Sequence, residues 1–466
     1  MASIQNAVGD VLLYSGATKN HFSATHAGLT MQGTAFNDTF WGDSSVRTEM
    51  SGGLGDDIYH LYSALNTVSE ASNAGIDTID TWMSYTLPAN VENLIVTGNG
   101  RYAFGNGLDN IIQGASGSQT IDGGHGNDVL SGGGGADIFL LNKGFGTDLI
   151  LDFSSDDVVR LGGLGFTSFD AVKGAISDTG DDLYLDFGNG EGAVFADTDL
   201  ADLTAGQFEL GLDMSKLSLS FSDDFNKLSL WNGTSGTWES NYWWGGAGGN
   251  SLEGNGEDQW YIDTDYGPTK GVNPFSVSNG VLSITAAPAS AATQAQINGY
   301  DFTSGMLTSY ETFSQTYGYF EIRADMPEEK GMWPAFWLLP ADGSWPPELD
   351  VIEMYGKDPN SLYMTAHSNA TGTQTSDLSV GHVMDTSGFH TYGVLWEEDQ
   401  ITWYFDGMAI ANAETPDDMH DPMYMIVNLA VGGLAGDTAA DFDGAAMKID
   451  YIKAYALEDA DWALSA

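Results

Sequence analysis

The chain contains no cysteine among its 466 residues, so neither disulfide staples nor thiol chemistry serves its fold or its function. Basic residues are almost as scarce. Fourteen Lys and Arg stand against 65 Asp and Glu, a formal net charge of −51. That balance makes nucleic acid and anionic membrane surfaces poor partners, and it leaves acidic side chains in need of water or cations, calcium being the obvious one. No apolar run approaches membrane-spanning length, so no membrane insertion is expected. The stretch from Met1 to Asp10 has neither a basic n-region nor an apolar h-region, which predicts that no cleaved N-terminal signal peptide operates. HExxH, GxxxxGK[ST] and GxSxG strings are all missing, which removes the zinc-protease, phosphate-loop and nucleophile-elbow readings.

The length allows two or three domains, and tryptophan marks a seam. Only Trp41 and Trp82 precede residue 213, and the other 11 of 13 follow it. Charge does not separate the halves: residues 1–213 hold 29 acidic and 6 basic side chains, residues 214–466 hold 36 and 8.

In the first part a nine-residue repeat runs from Gly105 to Leu140, as GNGLDNIIQ, GASGSQTID, GGHGNDVLS and GGGGADIFL. The sixth position is Asn110, Gln119, Asp128 and Asp137; the eighth is Ile112, Ile121, Leu130 and Phe139. Earlier copies start at Gly33 and Gly52. A flexible glycine linker would keep no such phase. The period fits a parallel β-roll whose glycine turns offer carbonyls and an Asp to a hard cation, while the eighth residue enters the core. These strings resemble the RTX nonapeptide GGxGxDxUx. The resemblance implies bound Ca²⁺ at Asp57, Asp109, Asp128 and Asp137 with the turn glycines Gly124, Gly126, Gly133 and Gly135. Asn110 and Gln119 depart from Asp, which weakens the expectation there. The resemblance further implies folding outside the cell on calcium, and export by a type I secretion apparatus through an uncleaved C-terminal signal in Glu458 to Ala466. Residues 184–213 read as a hairpin and a tapering linker.

From Leu217 onward short alternating strands sit between Gly, Asn, Asp and Pro turns, which predicts an antiparallel two-sheet sandwich with a groove for a polymer. Within it lies Pro346-Pro347-Glu348-Leu349-Asp350-Val351-Ile352-Glu353. Alternation puts Glu348 and Asp350 on one face, and a one-residue bulge at Val351-Ile352 would bring Glu353 to join them. Two such carboxyls, about 5–5.5 Å apart, suit a retaining glycosidase. An acidic edge strand or a metal site are the other readings of the octapeptide alone.

The surroundings narrow the choice. TSGMLTS, YGYFEIRADMPEEKGMWPAFWLLP, WPPELDVIE and HTYGVLWEEDQITWYFDG together resemble glycoside hydrolase family 16 over nearly all of residues 217–457. The resemblance implies a β-jelly roll, with Glu348 as nucleophile, Glu353 as acid/base and Asp350 as helper. Trp333, Trp337 and Trp345 flank the motif as candidates for stacking on sugar rings, with Trp243, Trp244 and Trp260 behind them. Trp396 and Trp403 read as core. His367 is expected in the groove near the acid/base, and His390 as structural. Asp450 is a candidate calcium ligand by the same resemblance. The expectation is an all-β chain, a β-roll over residues 1–213 and a jelly roll over 214–466. Its implied activity is that of a secreted endo-β-glycanase acting on an extracellular polysaccharide such as succinoglycan or another β-1,3/1,4-glucan. A laminarinase, a galactanase or an inactive calcium-dependent polysaccharide-binding protein are the rivals.

Overall fold

The computed structural model describes residues 29–245, 249–269, 271–383 and 385–458, with the short strands Val11–Leu13 and His21–Ser23. Residues 1–10 and 459–466, on which the export expectations rest, lie outside the described residues. The chain forms two compact units, Met1–Gly211 and Leu212–Ala466.

In the first unit, successive strands alternate between parallel sheets. Thr39–Trp41, Ile58–Leu61, Thr78–Thr81, Asn93–Val96, Ile111–Gln113, Val129–Ser131 and Thr147–Ile150 follow one another in the longest. Arg101–Asn106, Gln119–Gly124, Ile138–Asn142 and Val158–Gly162 do so in another. Ile112 pairs with Leu130 and Ile121 with Phe139, so one full coil consumes two nonapeptides. All four of these eighth-position side chains are fully buried. This is the β-roll that the repeat phase predicts. The hairpin expected near residue 184 is Leu183–Gly188 with Glu191–Phe195, which pairs back in parallel onto Thr147–Ile150.

The second unit is a sandwich. One sheet orders the strands Met306–Thr308, Met423–Val431, Met332–Pro340, Glu348–Tyr355, Asp358–Ser368 and Thr375–His382, all antiparallel. The other is built around Ala445–Leu457, Gly318–Asp325 and His390–Trp396. It includes one parallel pair, Gln259–Ile262 with Phe302–Ser304. Phe336, Leu338, Ile352 and Met354 meet Phe320, Ile322, Val394 and Ile449 in the core between the sheets. Met332–Pro340 and Met423–Val431 are buried at every position, because the side chains of their other face, Trp333, Trp337, Tyr424 and Ile426 among them, pack with Tyr242 and Tyr261 in a second cluster. Two covered faces explain why both strands read as continuous apolar runs rather than alternating ones. Trp396 and Trp403 are core residues with no exposed surface. Asp450 departs from expectation: its Oδ2 accepts from Arg323 at 2.6 Å, so its charge is already answered by a cationic side chain.

Candidate active site

The motif strand carries the predicted bulge. Glu348 pairs with His367, Asp350 with Thr365 and Glu353 with Tyr363, so three steps on the motif strand oppose two on its neighbour. On the other side Asp350 faces Trp337 and Ile352 faces Phe336. Val351 is the extra residue, and both it and Ile352 are buried in the core. Their shared burial consumes one alternation step and returns Glu353 to the face of Glu348 and Asp350. All three carboxylates line one cleft of about 880 Å³.

Each carboxylate has its own donor. The Trp345 indole N–H donates to Glu348 Oε2 at 2.6 Å, and that of Trp333 donates to Glu353 Oε1 at 2.8 Å. His367 Nε2 lies 3.2 Å from Asp350 Oδ2, and its Nδ1 2.8 Å from Ser376 Oγ. Asp350 also hydrogen-bonds Glu348 and Thr365. From the core, the Trp403 N–H donates to the Asp350 carbonyl at 2.8 Å and anchors the strand beside its bulge.

Burial is the main force on these groups. It raises Glu353 well above the usual carboxylate range, with the Asp350 charge pushing the same way and the Trp333 donor opposing. It raises Glu348 and Asp350 too; the Asp350 charge pushes Glu348 further up, while the hydrogen bonds from Glu348 and Thr365 hold Asp350 back. Close buried carboxylates do not all ionise together, so Glu348 and Asp350 share a proton through their mutual hydrogen bond. Trp345 and His367 favour charge on Glu348. The cleft thus contains a carboxylate able to attack and a carboxylic acid able to give a proton.

The candidate tryptophans of the cleft divide into buried and open rings. Trp333 and Trp337 are buried, 6% and 7% exposed, with their N–H groups committed to Glu353 and Asn428. Both line the cleft as expected, while their N–H groups hold the site in place. The open rings are Trp345, Trp243 and Trp244, at 56%, 46% and 41% exposure, all lining the cleft. Trp243 stacks on Tyr310 and Trp244 on Tyr242, which fixes both rings as platforms. Trp260 packs against Tyr300. His367 lines the cleft as expected; the register sets it opposite Glu348, and its charge also acts on Glu353. His390 bonds Asp406 and the Ser387 carbonyl, a structural residue.

Beneath the cleft lies a polar floor that the motif reading missed. Trp337 donates to Asn428 Oδ1, and Asn428 Nδ2 donates to Tyr261 Oη at 2.9 Å. Glu257 accepts from Gln259 Nε2 at 2.7 Å, and Gln259 Oε1 from the Val431 N–H at 2.6 Å. Burial pushes Glu257 up to about 7. The partners lie up to 172 residues apart, so local pattern carries no signal for them.

In the roll, the sixth-position side chains form ladders. The Asp38 N–H donates to Asp57 Oδ1, that of Asp57 to Asp77 Oδ1, that of Asn110 to Asp128 Oδ1, that of Gln119 to Asp137 Oδ1, and that of Asp137 to Asp157 Oδ1, at 2.6–2.9 Å. The remaining Asp57 and Asp128 oxygens, both Oδ2, are buried without a partner. Burial pushes Asp57 up to about 7 and Asp128 to about 8. These oxygens fit a hard cation. Asn110 and Gln119 do not, since their amide nitrogens donate to the Glu92 and Gly98 carbonyls at 3.1 and 3.0 Å. Asp109 is exposed and accepts from the Asn127 N–H. Gly124, Gly126, Gly133 and Gly135 all have positive φ, as the turns require.

A jelly-roll sheet presenting an acid and a carboxylate from one bulged strand, in a cleft edged by open indoles, defines a glycoside hydrolase of the retaining class. Residues 262–453 match the model for the glycosyl hydrolases of family 16. The chain is 63% identical over 461 residues to the endo-1,3-1,4-β-glycanase ExsH of Rhizobium meliloti and 60% identical to EglC from the same organism, each match covering 99% of both chains. The catalytic domain of a laminarinase from Thermotoga petrophila is 29% identical, with a TM-score of 0.43 over 52% of this chain and 99% of that one. The chain belongs to glycosyl hydrolase family 16, and its substrate is a polysaccharide. Among the described residues no helix is long and apolar enough to cross a membrane.

Proposed function

We propose that the protein is a secreted endo-β-glycanase that cuts internal β-glycosidic bonds of an extracellular β-1,3/1,4-linked polysaccharide, succinoglycan first among them, with retention of configuration. The observation that carries the reading is the bulged strand, which brings Glu348, Asp350 and Glu353 to one cleft. The names of the two rhizobial relatives support the linkage class.

In this reading Glu348 attacks the anomeric carbon while Glu353 gives its proton to the leaving glycosidic oxygen. A glycosyl-enzyme ester on Glu348 results. Glu353, now ionised, takes a proton from water, which attacks the same carbon, releases the sugar with its configuration retained and restores both carboxyls. Asp350 shares the proton of Glu348 in the resting state and takes it up as Glu348 ionises for attack. Trp243, Trp244 and Trp345 supply apolar platforms for sugar rings along the cleft. In the roll, Asp57, Asp128 and Asp137 would hold Ca²⁺, which supplies charge compensation and no chemistry in the cleft. Export by a type I apparatus belongs to the same reading.

The test is reducing-end release from succinoglycan, laminarin, mixed-linkage glucan and agarose in calcium buffer, wild type beside Glu348→Gln. Release from succinoglycan that the variant loses supports the reading. Release from another polymer alone keeps the mechanism and moves the substrate. Silence on all four leaves a binding protein.

A further inference from the structure

We infer that Asp57, Glu70 and Asp77 form a calcium site of their own in the roll, closed by a glutamate that lies outside the nonapeptide array. The inference rests on the calcium reading of the roll and names a site that the repeat does not contain. Only Asp57 occupies a repeat position; Glu70 follows the strand Asn66–Val68, and Asp77 precedes Thr78–Thr81.

The ligand atoms of the three residues all lie within 4.8 Å of one another. Asp57 and Asp77 are 1% and 0% exposed. One oxygen of each is used: Asp57 Oδ1 accepts from the Asp38 N–H, Asp77 Oδ1 from the Asp57 N–H, and Glu70 Oε1 from the Gly52 N–H and the Tyr59 hydroxyl. The other oxygen of each, Asp57 Oδ2, Asp77 Oδ2 and Glu70 Oε2, is buried and meets no donor. Three anions gathered away from water, each with a spare lone-pair-bearing atom, repel one another unless positive charge lies between them. Oxygen-only ligands of this charge select a hard divalent ion.

The turn geometry explains why this rung is open and others are shut. In the turns beginning at Gly33, Gly105 and Gly114, the second residue's N–H bonds back to the sixth side chain. Thr34 donates to Asp38 Oδ2 at 2.7 Å, Asn106 to Asn110 Oδ1 at 2.8 Å, and Ala115 to Gln119 Oε1 at 3.2 Å. In the turn beginning at Gly52 the second residue is Gly53, with φ of 101°, and no such bond reaches Asp57 Oδ2. Gly52 completes the cradle: a Cβ there would stand 1.8 Å from Asp57 Oδ2.

The experiment is native mass spectrometry of the full chain under calcium titration, with melting curves in calcium and in chelator, for wild type, Glu70→Gln and Gly52→Ala. Each variant should bind one ion fewer than wild type. Glu70→Gln should melt lower than wild type in calcium but higher in chelator, because it removes one of three repelling charges from an empty site. A purely structural glutamate predicts a lower melting point in both media, and that result overturns the site. An unchanged ion count in both variants does the same while sparing calcium binding elsewhere. A wild-type chain that binds no calcium overturns the calcium reading of the roll together with this site.

Discussion

Two indole donors, one on each catalytic carboxyl, make a prediction in which two similar substitutions move opposite ends of one pH profile. Trp345→Phe removes the 2.6 Å donor to Glu348, and Trp333→Phe the 2.8 Å donor to Glu353, each keeping an aromatic ring in place. Both donors favour the ionised carboxylate and lower the pKa of their partner, so losing either raises it. A hydrogen bond to a charged group contributes about 1.5–3 kcal/mol. At about 1.4 kcal/mol per pKa unit, the shift is on the order of one to two units. The lower figure suits Glu348, which shares its proton with Asp350 and so spreads the change over two groups. Glu348 must be ionised to attack, so its higher pKa moves the acid limb of the kcat/KM profile up by about one unit. Glu353 must be protonated to donate, so its higher pKa moves the basic limb up by about one to two units. The assay is initial-rate reducing-end release across pH for the three proteins. If Trp333→Phe shifts the acid limb, or if the two variants shift the same limb, the roles assigned to Glu348 and Glu353 are wrong.

Further expectations concern the scaffold. Trp403→Phe leaves the Asp350 carbonyl without its core donor; a stability loss of about 1–3 kcal/mol follows, with kcat reduced more than KM is raised, read from chemical denaturation and steady-state kinetics. Asp450→Asn breaks a half-exposed pair with Arg323. The cost should be about 0–1 kcal/mol and fall with added salt, and calcium affinity should not change; a lost ion by mass spectrometry would restore Asp450 as a ligand. Ile121→Ala, at a fully buried position of the roll, should cost about 2–5 kcal/mol in denaturant unfolding of the first unit.

Much of this was legible in the sequence, for reasons that differ between the halves. In the roll each repeat builds the same turn and strand, so the eighth-position apolar residues announce their burial by period alone. In the sandwich, the parity of Glu348, Asp350 and Glu353 could be reconciled with one face only through a bulge, and the register contains it. What stayed hidden depended on pairing between distant segments. Trp403 reads as core and is core, yet its N–H reaches Asp350 across 53 residues. Trp333 and Trp337 line the cleft as their place beside the motif suggests, but the motif does not show that their N–H groups reach Glu353 and Asn428. Trp243 and Trp244 were legible as candidates, but that their rings are open platforms of the cleft, braced by Tyr310 and Tyr242, was not.

The ladder of carboxylates in the roll has a direction. Each rung's peptide N–H is satisfied by a side chain one coil further along, so that donor is finished only by the succeeding coil. The column through Gln119 and Asp137 stops at Asp157, where the next coil is replaced by a turn: the Asp157 N–H bonds the Ser154 carbonyl at 3.2 Å, and the Ser154 N–H bonds Asp157 Oδ2 at 2.7 Å. This turn is a seal. Removal of the Ser154–Asp157 turn strands the buried Asp137 N–H, and removal of an earlier coil strands the donors that reach back to it, as Gln119 Nε2 does to the Gly98 carbonyl and the Val158 N–H to that of Asp137. Each coil is therefore held from both sides, and the Ser154–Asp157 turn closes this column at its end.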